Sequence, residues 1–313
     1  MSVAAVFPGQ GSQSIGMLSA LAAAEPAVRA TFATASTVLG YDLWQLTQNG
    51  PLEDLNSTER TQPAMLAAGV AVYRAWQAHD APRPTVLAGH SLGEFTALVC
   101  AGAMDFADAV ALVQFRGRVM QEAMPAGQGA MAAILGLDDA EVEGACADSA
   151  LGDVVEPVNY NSPGQLVIAG HAQAVHRAIE ACKARGAKRA LLLPVSVPAH
   201  SSLLRPAAER LGERLETMAI RVPDVPVCAM GRQWHDSPSA IRALLVAQLA
   251  SAVRWSDTVA RIIGDGATHV VECGPGKVLT ALNRRIERNK EISMTFIEDP
   301  ASLASARHVG AGI

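Results

Sequence analysis

Gly89-His90-Ser91-Leu92-Gly93 follows the apolar run Val86-Leu87-Ala88 and precedes Glu94-Phe95-Thr96-Ala97-Leu98-Val99-Cys100-Ala101, a stretch that reads as helix. A G-x-S-x-G pattern in that setting predicts a strand, a sharp turn and a helix, with the serine hydroxyl lifted clear of the backbone. The flanking glycines answer a steric demand, because a side chain on either side would collide inside so tight a bend. Outward from this elbow, Val3 to Phe7 is an apolar strand broken at Pro8-Gly9. His269 to Cys273 is a late strand, which Gly274-Pro275-Gly276 turns into a helix from Lys277. Apolar periodicity predicts helices near 60–80, 92–101, 106–123, 203–218 and 238–250. This alternation predicts an α/β fold with a mainly parallel sheet.

One internal stretch follows a different order. Gly129 to Leu135 is strand-like and leads to a helix from Asp138 or Asp139. Val154 to Asn159 and Gln165 to Ala169 straddle the turn signal Asn161-Ser162-Pro163-Gly164. A helix near 172–185 ends at Gly186, and Lys188 to Val195 reads as a strand. The order βαββαβ is that of a small ferredoxin-like α+β unit. The expected organisation is therefore a large α/β domain of residues 1–126 and 198–313, with a ferredoxin-like subdomain of residues 127–197 inserted into it. The cleft between them is the natural ligand site.

Composition excludes several classes. Half of the 313 residues are hydrophobic and the net charge is −5, so disorder is not expected. No basic stripe interleaved with aromatics marks a nucleic-acid partner. No apolar run approaches the ~18 residues that span a bilayer. The N-terminus has no charged leader and reads as a first strand, not a signal peptide. Five cysteines, widely spaced and never in C-x-x-C, suggest reduced thiols and a cytoplasmic protein. No metal-ligand spacing and no phosphate-binding loop occurs, so neither metal nor cofactor is expected. Gly9-Gln10-Gly11 falls short of a dinucleotide fingerprint because position 14 is Ser14. Nothing demands more than a monomer.

A serine nucleophile needs a base, and histidine suits that at neutral pH. His79, His171, His176 and His235 lie in polar, surface-like stretches, His269 begins a strand and His308 is near the end. His90 adjoins the serine, where alternate residues point apart. His200 remains, after the run Ala190 to Val197 and before Ser201-Ser202, which read as caps of an amphipathic helix with Leu204, Ala208, Leu211 and Leu215 on one face. Position alone leaves it either a base or a capping residue. In the helix near 106–123, Arg116 has Leu112, Val113, Val119 and Met120 at three and four residues, whereas Arg118 has Gln114, Phe115, Gln121 and Glu122. Arg116 should therefore point inward and Arg118 toward water. A buried guanidinium needs an anionic partner, either an internal carboxylate or a substrate carboxylate. Amides of the loop at Gln10, with the Leu92 amide at the start of the elbow helix, can face an oxyanion.

Taken together, these residues resemble the malonyl-CoA:acyl carrier protein transacylase family over nearly the whole chain. The resemblance rests on Phe7-Pro8-Gly9-Gln10-Gly11-Ser12-Gln13, Thr61-Gln62-Pro63-Ala64, Gly89-His90-Ser91-Leu92-Gly93-Glu94 and Gln114-Phe115-Arg116-Gly117. It continues in Asn159-Tyr160-Asn161-Ser162-Pro163-Gly164-Gln165, Val197-Pro198-Ala199-His200 and Glu272-Cys273-Gly274-Pro275-Gly276-Lys277-Val278-Leu279. It implies a hydrolase-like α/β body carrying a ferredoxin-like subdomain. It further implies Ser91 as nucleophile, His200 as base and Arg116 as clamp for the malonyl carboxylate. Gln10 and Leu92 become oxyanion donors, and the backbone carbonyl of Gln248 orients the histidine. The implied partners are malonyl-CoA and an acyl carrier protein, whose phosphopantetheine arm belongs to the carrier. The implied pathway is fatty-acid synthesis, with a polyketide or malonate-decarboxylase carrier as the alternative.

Two departures stand out. Relatives continue near residue 227 with an asparagine-containing segment, where this chain has Val227-Cys228-Ala229-Met230-Gly231-Arg232-Gln233, so one rim of the site is expected to differ. Ala199 is small before the histidine and leaves room for a 2-substituted malonyl group. A serine esterase or thioesterase shares the elbow but normally needs an acid between serine and histidine. Asp138, Asp139 and Asp153 lie in that interval, all in the expected small unit. Lys183, Arg185, Lys188 and Arg189 are candidates for a carrier-binding patch or for an ordinary solvated face.

Overall fold

Every residue of the first strand is apolar and buried, as a strand covered on both faces requires. Val3, Ala5 and Phe7 face one helical layer, while Ala4 and Val6 face Trp255, Val259, Ile262 and Leu282 in the other. The computed structural model describes residues 2–308 apart from residues 80, 126 and 196. One end of a helix expected near 60–80, the expected domain boundary at 126, part of the run to Val197 and the last five residues thus lie outside the described set.

Ten strands follow in chain order: β1 (Val3–Phe7), β2 (Val86–Gly89), β3 (Gly129–Leu135), β4 (Val155–Ser162), β5 (Gln165–His171), β6 (Arg189–Leu192), β7 (Val227–Ala229), β8 (Gln233–Trp234), β9 (His269–Cys273) and β10 (Ser293–Ile297). Six of them form one sheet in the order β10-β9-β1-β2-β7-β8. All of its pairs are parallel except β7 with β8. The other four form a separate antiparallel sheet in the order β4-β5-β3-β6. This is the mixed architecture that the alternation of elements predicts.

The antiparallel sheet has a core of its own. Ala132 and Ile134 face the helices Asp139–Ala150 and Ala172–Ala184, packing with Val142, Ile168, Val175 and Ile179. Met131, Val158, Val167 and Ala169 occupy its opposite face, against Leu193, Val195 and Ala199 on the way to His200. Several ties fasten this unit to the rest, two of them close to His200 and Gln248 in the chain. Val253 donates to the Val158 carbonyl (2.8 Å) and accepts from the Tyr160 amide (2.9 Å). The Glu156 carboxylate accepts from both the amide and the hydroxyl of Ser202, each at 2.7 Å.

Helices occupy Thr58–Gln77, Gly93–Cys100, Phe106–Glu122, Arg205–Glu216 and Pro238–Leu249, within a few residues of the expected spans. Outside the expected spans, the stretch 19–56 folds as four further helices, Ser19–Ala24, Pro26–Leu39, Leu43–Asn49 and Leu52–Asn56. The strand expected over Lys188 to Val195 is shorter, because only Arg189–Leu192 finds a partner in β3.

Between β9 and the helix Val278–Ile286, the fully buried Glu272 accepts from the amides of Leu279 (3.0 Å) and Thr280 (2.7 Å) and from the Thr280 hydroxyl (2.7 Å). The carboxylate thereby satisfies first-turn amides that no backbone acceptor reaches. Burial pushes its pKa up, against those same hydrogen bonds. Glu272→Ala strips both amides of their acceptor and should destabilise the fold by about 3 kcal/mol, read from the midpoint of urea unfolding.

Candidate active site

The elbow is shaped by what surrounds it. A Cβ at Gly89 would overlap the Gly93 backbone, and one at Gly93 would overlap the Phe7 carbonyl. Between them Ser91 adopts φ 52°, a left-handed conformation that a non-glycine residue holds only under constraint. The Gln10 loop lies against this turn, since a Cβ at Gly9 would stand 2.5 Å from the His90 carbonyl oxygen. Among the described residues the amides of Gln10 and Leu92 have no acceptor, and Leu92 precedes the first residue of the helix Gly93–Cys100. The Gln10 side chain itself is exposed and donates to Thr58 Oγ1 at 3.3 Å.

His200 is buried, and its Nε2 lies 2.7 Å from Ser91 Oγ. Its Nδ1 lies 2.8 Å from the backbone carbonyl of Gln248. A carbonyl only accepts, so Nδ1 carries the proton and Nε2 offers its lone pair to the serine hydroxyl. That is the tautomer a general base needs. His200 does not continue a strand of the parallel sheet, as a strand-to-helix junction would suggest. It lies in a turn after the small sheet, with φ 66°, and is followed by a short 3-10 turn, Ser202–Leu204. Ser201 makes no side-chain cap, and Ser202 is held instead by Glu156. Among the described residues no carboxylate contacts the His200 ring. Asp138 precedes the helix Asp139–Ala150, and Asp153 pairs with Arg177.

Arg116 is 1 % exposed and Arg118 faces solvent, as the helical spacing predicts. Gly117 makes the placement possible. A Cβ there would stand 2.6 Å from Glu59 Cα and from the Thr58 carbonyl, so this helix approaches Thr58–Gln77 as only glycine allows. Arg116 Nη1 donates to Gln62 Oε1 (2.8 Å), and Nη2 donates to Gln248 Oε1 (3.0 Å) and, at 3.4 Å, to Ser91 Oγ. Its Nε is buried without an acceptor, and Phe95 stacks 5.3 Å from the guanidinium carbon. No carboxylate lies within ion-pair distance of Arg116 among the described residues. Burial drags its pKa down to about 10, while Glu94 works in the opposite direction. A cation kept this way, half satisfied by neutral amides and next to a nucleophile, is prepared for an incoming anion.

Spacing and composition left several residues of this cluster without a role. Gln62, in the Thr61-Gln62-Pro63-Ala64 stretch, is buried and accepts from Arg116. Glu94 is buried directly behind the elbow. His235, expected at the surface, is 2 % exposed and its Nε2 lies 2.6 Å from Glu94 Oε1. The polar sequence around it misleads because β8 pairs back on β7 and brings the His235 ring onto the buried Glu94. His90 bonds Asn161 Oδ1 at 2.9 Å, turned away from the serine as the alternation predicts. Among the described residues there is no group of three or more His, Cys, Asp and Glu that can hold a metal ion, and no helix is long and apolar enough to cross a membrane.

The chain is similar to known proteins over nearly its whole length. Residues 5–298 match the family described as "Acyl transferase domain". The chain is 55% identical over 302 residues to the malonyl CoA-acyl carrier protein transacylase of Escherichia coli O157:H7, covering 96% of this chain and 97% of that one. It is similar (TM-score 0.97, 52% identity, 99% and 100% of the two chains covered) to a malonyl-transacylase solved in complex with a type II PKS acyl-carrier protein. It is also similar (TM-score 0.93, 53% identity, 97% and 99% covered) to an acyl carrier protein S-malonyltransferase from Vibrio cholerae O1 biovar eltor str. N16961.

Burial, followed by the charge of Arg116, pushes His200 from its ordinary 6.5 down to about 3. The unfolded chain takes up this proton near 6.5 and the folded site refuses it, so the stability this group contributes is full above that pH and declines as pH falls toward 3. The rate at which a fluorophosphonate labels Ser91 should accordingly persist to about pH 5, below the ordinary histidine range. Arg116→Ala removes the second cause and should move the acid limb upward, which a pH series of labelling rates measures directly.

Proposed function

This chain belongs to the acyl transferase domain family, and we propose that it moves a malonyl group from malonyl-CoA to the phosphopantetheine thiol of an acyl carrier protein through a malonyl-serine ester. The observation that carries this reading is the buried guanidinium of Arg116, 3.4 Å from the Ser91 hydroxyl and without an acid of its own. Hydrolysis of uncharged esters has no use for such a charge. The absence of a carboxylate behind His200, among the described residues, also argues against an esterase of the usual Ser-His-acid type.

The reaction runs in two halves. In the first, Ser91 Oγ gives its proton to His200 Nε2 and attacks the thioester carbonyl carbon. The amides of Gln10 and Leu92 receive the developing oxyanion. The C–S bond breaks, CoA leaves as its thiol with the proton from His200, and malonate stays as an ester on Ser91. In the second, the carrier's thiol gives its proton to His200 and its sulfur attacks the ester, and Ser91 leaves with that proton. Arg116 holds the free carboxylate in both halves by charge-assisted hydrogen bonds. The malonyl carboxylate also offsets the field of Arg116 on His200, so the base strengthens once the right acyl group is present. The Gln248 carbonyl stabilises the imidazolium formed in each half.

Residues 127–197 act in this reading as a subdomain that supplies the second wall of the cleft. The carrier is acidic, and Lys188, Arg189, Arg285 and Arg288 line one groove beside that wall, none of them paired with an acid among the described residues. Arg185, by contrast, is committed to Glu141 and Asp148, and Lys183 to Glu180. The protein works in the cytoplasm as a monomer, without metal or cofactor, in fatty-acid synthesis. Ala199 packs only partly buried beside His200 and leaves space for a 2-methyl substituent.

Three measurements test these statements. Intact-mass analysis after brief exposure to malonyl-CoA should show one malonyl adduct on Ser91 and a single burst of CoA. Continuous CoA release without a carrier would instead indicate a hydrolase. Arg116→Ala should lower malonyl loading relative to acetyl loading by about a hundredfold, and equal loss of both would refute the clamp. Lys188→Glu should raise the KM for a carrier several-fold while leaving Ser91 malonylation unchanged; an unaltered KM would remove the groove from carrier docking.

A further inference from the structure

Four buried side chains run in one line away from the nucleophile. Arg116 Nη2 donates to Gln248 Oε1 (3.0 Å), Gln248 Nε2 donates to Glu94 Oε2 (2.8 Å), and His235 Nε2 lies 2.6 Å from Glu94 Oε1. All four are less than 5 % exposed. Gln248 Nε2 also donates to the Ser91 carbonyl at 3.0 Å, so both of its hydrogens are engaged.

A side-chain amide has two ends of nearly the same shape and opposite hydrogen-bonding sense. If Gln248 turned over, its NH2 would face the donors of Arg116 and its oxygen would face two acceptors. Only the present orientation lets Gln248 accept from Arg116 Nη2. Two acceptors on its NH2 side hold it, the Ser91 carbonyl and the carboxylate of Glu94, and the carboxylate brings the charge. That carboxylate is held in turn by two bonds, one oxygen to Gln248 and the other to His235. Deprived of the His235 bond it is free to rotate off the Gln248 amide, which is then less firmly held one way round.

We propose that Glu94 and His235 are positioning residues that set the malonyl selectivity of Arg116 by fixing which way round the Gln248 side chain stands. Glu94 supplies negative charge one amide away, not in contact, so the cation is balanced while its free Nε–H remains open to the substrate. A direct ion pair would occupy the clamp and oppose the substrate carboxylate. His235 reaches its place through the segment that departs from the resembled family. Met230 and Gly231 turn at φ 43° and 86°, β8 pairs back on β7, and the His235 amide donates to the Val227 carbonyl at 3.0 Å. β7 in turn pairs with β2, the strand that enters the elbow. The other ring nitrogen, Nδ1, is buried without a partner, so the ring is held by its bond to Glu94 and not by matched surroundings.

This inference rests on the malonyl-transfer reading, and one experiment separates the two. Wild type, His235→Met, His235→Gln and Glu94→Gln, each checked for folding by circular dichroism, are exposed to equal malonyl-CoA and acetyl-CoA, quenched and weighed. The malonyl-to-acetyl ratio on Ser91 should fall about tenfold in His235→Met, which lacks the donor, as expected for loss of an oriented bond to a charged group. His235→Gln keeps a donor and should restore most of the ratio. Glu94→Gln, whose amide stands equally well either way round, should fall like His235→Met. Added to Arg116→Ala, His235→Met should change the ratio no further, whereas a general structural defect would lower both acyl groups in either background. An unchanged ratio in a folded His235→Met or Glu94→Gln overturns the proposal. So does an equal drop in the Arg116→Ala background, or failure of both single variants to fold, which would make the pair a brace. A wild type that never forms malonyl-serine instead overturns the function on which the inference rests.

Discussion

A guanidinium cannot shed its charge to escape burial, and everything around Ser91 is organised by where Arg116 must sit. It lies in the core, on a helix whose next residue is a glycine pressed against Thr58 and Glu59, with two neutral amides and an aromatic face for company. A carboxylate in contact would have been the cheaper way to bury it, and would have closed the site to anions. Glu94 stands instead behind Gln248, near enough to oppose the desolvation of Arg116 and too far to replace a substrate. Second to burial, the charge of Arg116 depresses the basicity of His200.

Gln248 joins these two demands. Its backbone carbonyl fixes the tautomer of His200, while its side chain holds Arg116, Glu94 and the Ser91 carbonyl. A single residue at the end of the helix Pro238–Leu249 therefore couples the base, the clamp and the elbow. An acid behind the histidine would raise its basicity further. A carbonyl dipole gives direction with less charge, which suits a site already crowded with one fixed cation.

The small antiparallel sheet contributes more than a wall. His200 is delivered by the chain leaving that sheet, and the Glu156 grip on Ser202 anchors the far side of the turn. The bonds of Val253 to β4 close the circuit a few residues after Gln248. Movement of the small unit would thus be felt at the histidine and at its carbonyl together.

The alternation of elements, the elbow and the βαββαβ run were legible from residues alone because each is a local pattern whose period or steric demand fixes the backbone. The inward aspect of Arg116 was equally legible, since residues three and four apart on a helix share a face wherever that helix packs. The four helices of residues 19–56 were not, three of them being five to seven residues long, too short for an apolar period to repeat. His200 could be chosen from eight histidines only by exclusion and resemblance, and its true setting, a turn between two sheets, lies in no nearby pattern. Gln62 and Glu94 lie in stretches that carry the family resemblance but had no role, and His235 had no signal: the Glu94–His235 pair is 141 residues apart and Gln62 is 54 from Arg116. Sequence by itself determined which residues are apolar, which turn is strained and which charge must go inside. Only the tertiary structure decided what that charge meets there, because hydrogen-bond partners from distant segments are chosen by how layers pack, and packing has no local code.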